Sequence, residues 1–426
     1  MSIDEIDRKR LKKGFTMWLC AALFYGFQFI IRVSPSVMAD DLMAALSLDA
    51  CFLGTLASFY YYGYSFMQIP AGVLLDLIGP RRPLALACFL CAIGCFMFAS
   101  GASPILLGFG RLMMGIGSAF GILTCIKIAS MWFPAHRITL FVGLALVVGT
   151  TGATAGGAPL SSLVKLTDWR TAIQILGGFS ALLTVFSWAV VRDHGPYLTR
   201  ADHGTNPLRS VLDSVFEIVR NPQTWIYGAY GFLMYVPLSG FADLWGIPYL
   251  SQTYGVDRTV AAGAISFFYV GVGVGSPTWS FVLTHLQSFR QTLILSAILT
   301  LTLFTVIIYV SVPFSWIYVL YFLAGLVSSG QFVAFGAVAE INPKTRTATA
   351  SGTHNMLCMI SGTLLQPIIG KVLDTLWDGT MVDGARVYST EAFHYALAII
   401  PASLVVAALL VYSLNEVYPK EAPQAA

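Results

Sequence analysis

The chain has 426 residues, of which 57% are hydrophobic and only 11% charged, with a formal net charge of +3. A soluble domain carries about 25% charged residues, so this composition excludes a water-soluble globule and predicts a chain that crosses a membrane many times. The small positive charge mostly reflects loop cations and implies no nucleic-acid partner.

A spanning helix needs about 20 apolar residues. Twelve such runs follow one another, near 15–38, 51–74, 83–100, 106–133, 139–161, 171–191, 223–250, 259–284, 291–311, 315–338, 349–374 and 392–413. Their length favours helices over the short alternating strands of a barrel, so an all-α polytopic protein of twelve transmembrane helices is expected. Residues 1–14 are polar and charged and read as a tail, with no cleavable signal peptide. The spans divide six and six, 15–191 and 223–413, around a polar linker at 192–222 whose stretch Leu208 to Val219 is amphipathic; 414–426 form a second tail. With both termini cytoplasmic, sixteen loop Lys and Arg fall on that side and four on the other. That bias sets the orientation. Seven cysteines lie in or beside apolar runs. Cys88, Cys91 and Cys95 share one helix face and read as small packing residues rather than metal ligands.

In chain order, the first polar residue that stands out is Arg32, inside the first run. Hydrocarbon cannot solvate a guanidinium, at a cost of roughly 2.5–3.5 kcal/mol on insertion scales. Arg32 is therefore either a ligand for an anionic group or a structural residue, snorkelling or paired with Asp40 or Asp41. Tyr60, Tyr61, Tyr62 and Tyr64 form an aromatic band on the second run, of which one or two, Tyr61 among them, can face inward and close over a ligand. Lys127 in the fourth run reads as a snorkelling or a gating residue. Gly149, Gly152 and Gly156 make a close-packing stripe on the fifth. Asp243 lies in the seventh run, which Pro248 and two glycines interrupt. There it can bind the amine of a zwitterion whose carboxylate Arg32 holds, carry a coupled proton, or sit at the outer surface. Phe267, Phe268 and Tyr269 form a second aromatic band. Gln331 and Asn355 can hydrogen-bond substrate or bridge helices. His354, near the cytoplasmic end of the eleventh run, reads as a solvated or capping residue, with a proton relay as the alternative. No nucleophile–base pair, metal cluster or phosphate loop appears, so no enzyme is expected.

Between the second and third runs stands Gly72-Val-Leu-Leu-Asp76-Leu-Ile-Gly79-Pro80-Arg81-Arg82. It resembles the G-x-x-x-D-x-x-G-x-R-R signature of the major facilitator superfamily at every fixed position. Gly110-Arg111 through Gly115 and Gly117, Trp132-Phe133-Pro134 with Arg137, Asp168-Trp169-Arg170, and Asn355 with Gln366-Pro367, Gly370 and Asp374 resemble further motifs of that superfamily. The resemblance implies two six-helix bundles that alternate access to a midplane site. It implies a charge latch at Asp76, with Arg81, towards a helix end or a basic residue of the opposite half, and a structural or proton-coupling role for Arg111. His285 and Arg290 stand where the second half would repeat Asp76 and Arg81, so the copy is degenerate. The first run resembles that of organophosphate–phosphate antiporters, but the seventh lacks their second Arg, and a lone Arg suits a monocarboxylate. Residues 27–38 with the Tyr run and Gln68 to Gly72 also resemble phagosomal nutrient transporters of bacteria. The expectation is a monomeric secondary transporter in a bacterial inner membrane. Its partners are the lipid bilayer and a small-molecule substrate, with an amino acid favoured. It uses no cofactor beyond a coupling proton. Organic anions, organophosphates or nucleosides are the alternative cargo. Export of a siderophore or drug, and a non-transporting sensor, stand further off.

Overall fold

Hydrocarbon offers no hydrogen bonds, so each apolar run must satisfy its own backbone and does so as a helix. The computed structural model describes residues 3–101, 103–196, 207–343 and 346–415. Among them, the first bundle comprises α1 (Ile3–Val37), α2 (Ala50–Ile78), α3 (Arg81–Ser100), α4 (Pro104–Trp132), α5 (Ala135–Ala155, continued by Ala158–Leu166) and α6 (Trp169–Val190). The second comprises α7 (Pro222–Val236, Pro237–Trp245 and Gly246–Tyr254 in series), α8 (Arg258–Leu286), α9 (Phe289–Tyr309), α10 (Phe314–Ile341), α11 (Thr347–Thr375) and α12 (Thr390–Ser413). Ten of these are long and apolar enough to cross a membrane as they stand; α2 qualifies together with the short helix Ala39–Leu46, bent 116° from it. The twelfth is α7, whose middle is a π-helix. α1 is continuous from Ile3, so most of the expected tail extends the helix. In the linker, residues 197–206 lie outside the described residues and Pro207–Arg220 is a helix. Of the orienting cations, Arg200, Lys344 and Lys420 lie outside the described residues.

Short polar side chains start the helices by capping orphan N–H groups. Asp49 accepts from Phe52, Ser103 from Leu106, Asp168 from Arg170 and Thr171, Asn221 from Gln223, Asp257 from Thr259 and Ser288 from Gln291. Glycines then let the helices touch. On α2 and α4, a Cβ at Gly63 would lie 2.4 Å from the Leu112 carbonyl and one at Gly115 2.0 Å from that of Tyr60. On α8 and α10, a Cβ at Gly271 would lie 2.0 Å from the Phe322 carbonyl and one at Gly325 1.9 Å from that of Phe268. The two crossings use glycines and carbonyls at the same spacing, so the halves repeat one construction. The α5 stripe works similarly, with a Gly152 Cβ 2.0 Å from the Gly26 carbonyl of α1. Cys88, Cys91 and Cys95 are buried, and Cys91 lies 3.5 Å from the Met114 carbonyl of α4.

The halves meet closely at the face opposite the termini. There Asp374 of α11 accepts the N–H of Ala50 (3.1 Å) and Cys51 (2.7 Å), which open α2. Arg258 at the start of α8 donates to the Val37 carbonyl (3.1 Å) and pairs with Asp40 (3.1 Å) and Asp41. Lys165 pairs with Asp257 and holds that carboxyl below its usual range. A Cβ at Gly54 of α2 would lie 2.4 Å from the Gln366 carbonyl of α11. Towards the termini, a Cβ at Gly72 or Gly352 on the same two helices would meet nothing within 4 Å. The bundles therefore converge at the far face and part towards the face that carries the termini.

Candidate functional site

Within α1, Pro35 lacks the N–H that would bond the carbonyl of Ile31. The Ser34 hydroxyl, at 3.0 Å, and Arg111 of α4 donate to that carbonyl instead. Arg111 Nη1 donates to the Ile31 carbonyl at 2.6 Å and its Nη2 to that of Arg32 at 3.2 Å. Arg111 is thus a structural brace behind Arg32. The structure shows no contact between Arg111 and the carboxylate of the site.

Arg32 and Asp243 face one another across the two bundles, 3% and 1% exposed, with Nε 3.2 Å from Oδ2. The alternatives of an interfacial Arg and a surface Asp are thereby corrected: Asp40 and Asp41 serve Arg258 instead. Around the pair stand three tyrosines. Arg32 Nη1 donates to the Tyr235 hydroxyl at 3.2 Å. The Tyr61 hydroxyl donates to Asp243 Oδ2, and that of Tyr269 to Oδ1 at 2.5 Å. Tyr61 and Tyr269 each lie two residues before the repeated glycine, Gly63 and Gly271. The duplicated construction therefore grips one carboxylate from both halves. The Arg32 guanidinium lies 4.1 Å from the Phe29 ring, and its Nη2 is buried with no hydrogen-bond partner. Here is an inward-facing cationic donor with spare capacity beside a carboxylate whose two oxygens are already engaged.

Asp243 reaches this position through the π-helix Pro237–Trp245, while Pro248, read as an interruption of the run, lies inside the α-helix Gly246–Tyr254 that follows. A π turn inserts an extra residue and leaves carbonyls unpaired. α11 satisfies them. Gln366 Nε2 donates to the Ser239 carbonyl at 2.7 Å, Trp245 Nε1 donates to the Gln366 carbonyl at 3.1 Å, and the Ser239 and Ser361 hydroxyls lie 2.8 Å apart.

The remaining expected residues are elsewhere. Asp76 meets Lys127 at 2.6 Å, so its partner belongs to its own half rather than the opposite one. Arg81 donates to the Trp188 carbonyl at 2.9 Å and lies over that ring, while Asp193 accepts its backbone N–H at 2.9 Å. These contacts tie the α2–α3 loop to the end of α6. His354 is fully buried, neither solvated nor capping. Its ring lies 4.6 Å from that of Phe335, and its Nε2 is 3.6 Å from Cys358 Sγ. Gly231 of α7 makes room for it, since a Cβ there would come within 2.7 Å of the imidazole. Gln331 is buried in a 3₁₀ turn and Asn355 is half-buried; neither bonds to the Arg32–Asp243 pair. Tyr235 was not singled out from sequence, and Tyr269 was read only as one member of an aromatic band, not as the one that turns inward. Aligning the two glycine-marked aromatic bands would have found Tyr269.

The family profile described as Major Facilitator Superfamily matches residues 17–364 and 244–426. "Membrane sensor protein UhpC" of Escherichia coli (strain K12) is 23% identical over 91% of this chain and 90% of its own. The "Hexuronate transporter" of the same organism is 24% identical over 85% and 89%. A bacterial homologue of the human lysosomal transporter Spinster, solved inward-facing and unoccupied, superposes with a TM-score of 0.75 at 16% identity, over 94% of this chain and 97% of that one. None of these proteins is an enzyme, and neither is this multi-pass membrane chain: it belongs to the Major Facilitator Superfamily.

Proposed function

We propose that the chain is a secondary active transporter for a small organic anion, working by alternating access of its bundles around Arg32 and Asp243. The observation that carries this is the unpartnered Nη2 of Arg32 beside a carboxylate that already accepts from two tyrosines. A proton arriving on Asp243 cancels its charge and releases Arg32 to bind a carboxylate in a bidentate fork. Proton and anion then cross together. One of the relatives reported above carries a solute in its name, hexuronate, an organic anion, which is the support it lends.

An amino acid is the second reading. When the Arg32–Asp243 pair opens, its two opposite charges suit the carboxylate and the ammonium of a zwitterion. It requires Asp243 to give up a tyrosine for the ammonium.

A thermal-shift screen of purified protein against carboxylates, amino acids, nucleosides and phosphates tests both, because a ligand stabilises the state that binds it. Carboxylates should stabilise the wild type and not Arg32→Ala. Stabilisation only by neutral nucleosides, or equal stabilisation of Arg32→Ala, would contradict the proposal. Counterflow of the stabilising solute in proteoliposomes separates a carrier from a sensor that binds without flux.

A further inference from the structure

At the end of the first bundle that carries the N-terminus, a groove of about 460 Å³ lies between the start of α1 and the α4–α5 loop. Leu11, Lys12, Phe15 and Thr16 line it from α1, Phe133 from the α4–α5 loop and Arg137 from the first turn of α5. We propose that it binds the phosphate of an anionic phospholipid in the leaflet on that side.

Three observations carry this. Lys12 and Arg137 are exposed and converge on one groove, and no acidic side chain pairs with either among the described residues. Both cations thus face one groove at the level where helices leave the hydrocarbon. The floor is apolar and firmly built. The Phe133 and Phe141 rings stack at 3.7 Å, Trp18 meets Phe141 at 5.0 Å, and Lys13 Nζ lies 5.7 Å from the Trp132 ring. A Cβ at Gly14 would come within 2.8 Å of Trp132, so α1 is seated tightly on the end of α4. Finally, exposed apolar ridges run from the groove along both helices: Phe15, Leu19 and Leu23 on α1, and Leu140 and Leu144 on α5. Each ridge repeats every fourth residue, one face of a helix. A soluble anion would use the two cations and leave the ridges idle. A phospholipid uses both, its phosphate between Lys12 and Arg137 and its acyl chains along the ridges. Basic pockets at this level between spanning helices suit anionic headgroups.

The test uses the full-length protein in detergent micelles doped with equal amounts of phosphatidylglycerol and phosphatidylcholine, with bound lipid read by native mass spectrometry. The wild type should retain phosphatidylglycerol in preference to phosphatidylcholine. Each cation near a membrane surface contributes about fivefold, so Lys12→Ala/Arg137→Ala should lose on the order of 30-fold in that preference. Lys12→Arg/Arg137→Lys keeps the charge and should retain it, which separates loss of charge from misfolding. Equal retention of the two lipids by the wild type, or an unchanged preference in the double alanine variant, would overturn the site. Displacement of the lipid by millimolar inorganic phosphate would overturn its assignment to a lipid.

Discussion

Arg32 and Asp243 each stabilise a charge that the other could not carry alone at that depth. Removing one partner of a buried pair costs about 3–5 kcal/mol, whereas replacing both with apolar residues is often neutral. Arg32→Ala should therefore lower the melting temperature and abolish uptake. Arg32→Leu/Asp243→Leu should recover the melting temperature without recovering uptake, which measurement of both properties on the same preparations would show. The tyrosines should differ although they occupy repeated positions. Tyr61→Phe removes a bond that crosses the bundles and should mainly change the rate of the conformational cycle. Tyr269→Phe removes one within the second bundle and should mainly shift the pH profile of transport. Kinetics of uptake across a pH series distinguishes them. Arg32 and Asp243 were legible because a charge in an apolar run has few explanations. Their mutual contact was not, since it joins residues 211 positions apart through the packing of two bundles. Periodicity likewise left open which tyrosine of each band turns inward.

At the level of elements, the π-helix of α7 decides where Asp243 points. Gln366 holds it open by taking the Ser239 carbonyl. Gln366→Leu leaves that buried acceptor unpaired, at a cost of about 1–3 kcal/mol. It should reduce maximal transport more than it reduces folded protein in the membrane, and paired uptake and expression assays check this. The twelve helices were legible from apolar length and the α5 glycine stripe from small-residue spacing, whereas the Gly63–Gly115 and Gly271–Gly325 crossings were not. The π turn was not. Prolines and glycines marked α7 as irregular, but the extra residue is stabilised by side chains of α11, far away in sequence. The Asp76 motif was found, yet its partner was misplaced, because a signature fixes a residue type and not which neighbour reaches it. His354 was misjudged for a related reason: nearness to a helix end does not reveal the notch that Gly231 opens.

For the whole molecule, closure of the far face rests on contacts between the halves, chiefly Asp374 on the first N–H groups of α2 and Arg258 on Asp40 and Asp41. Asp374→Ala should loosen that face. Spin labels at Ala44 of the first half and Gln252 of the second, which line a common cavity at that face, should then show a longer, broader distance distribution. The duplicated plan was legible from the six-and-six division and the central linker, while the closed state of the far face comes from cross-bundle contacts that no local pattern encodes. The central claim is that Asp243 couples a proton to movement of the anion that Arg32 holds. Asp243→Asn in proteoliposomes tests it most directly, with a pH gradient imposed in one arm and only labelled and unlabelled substrate exchanging in the other. Exchange should persist while gradient-driven accumulation is lost; wild-type accumulation in Asp243→Asn would contradict the coupling.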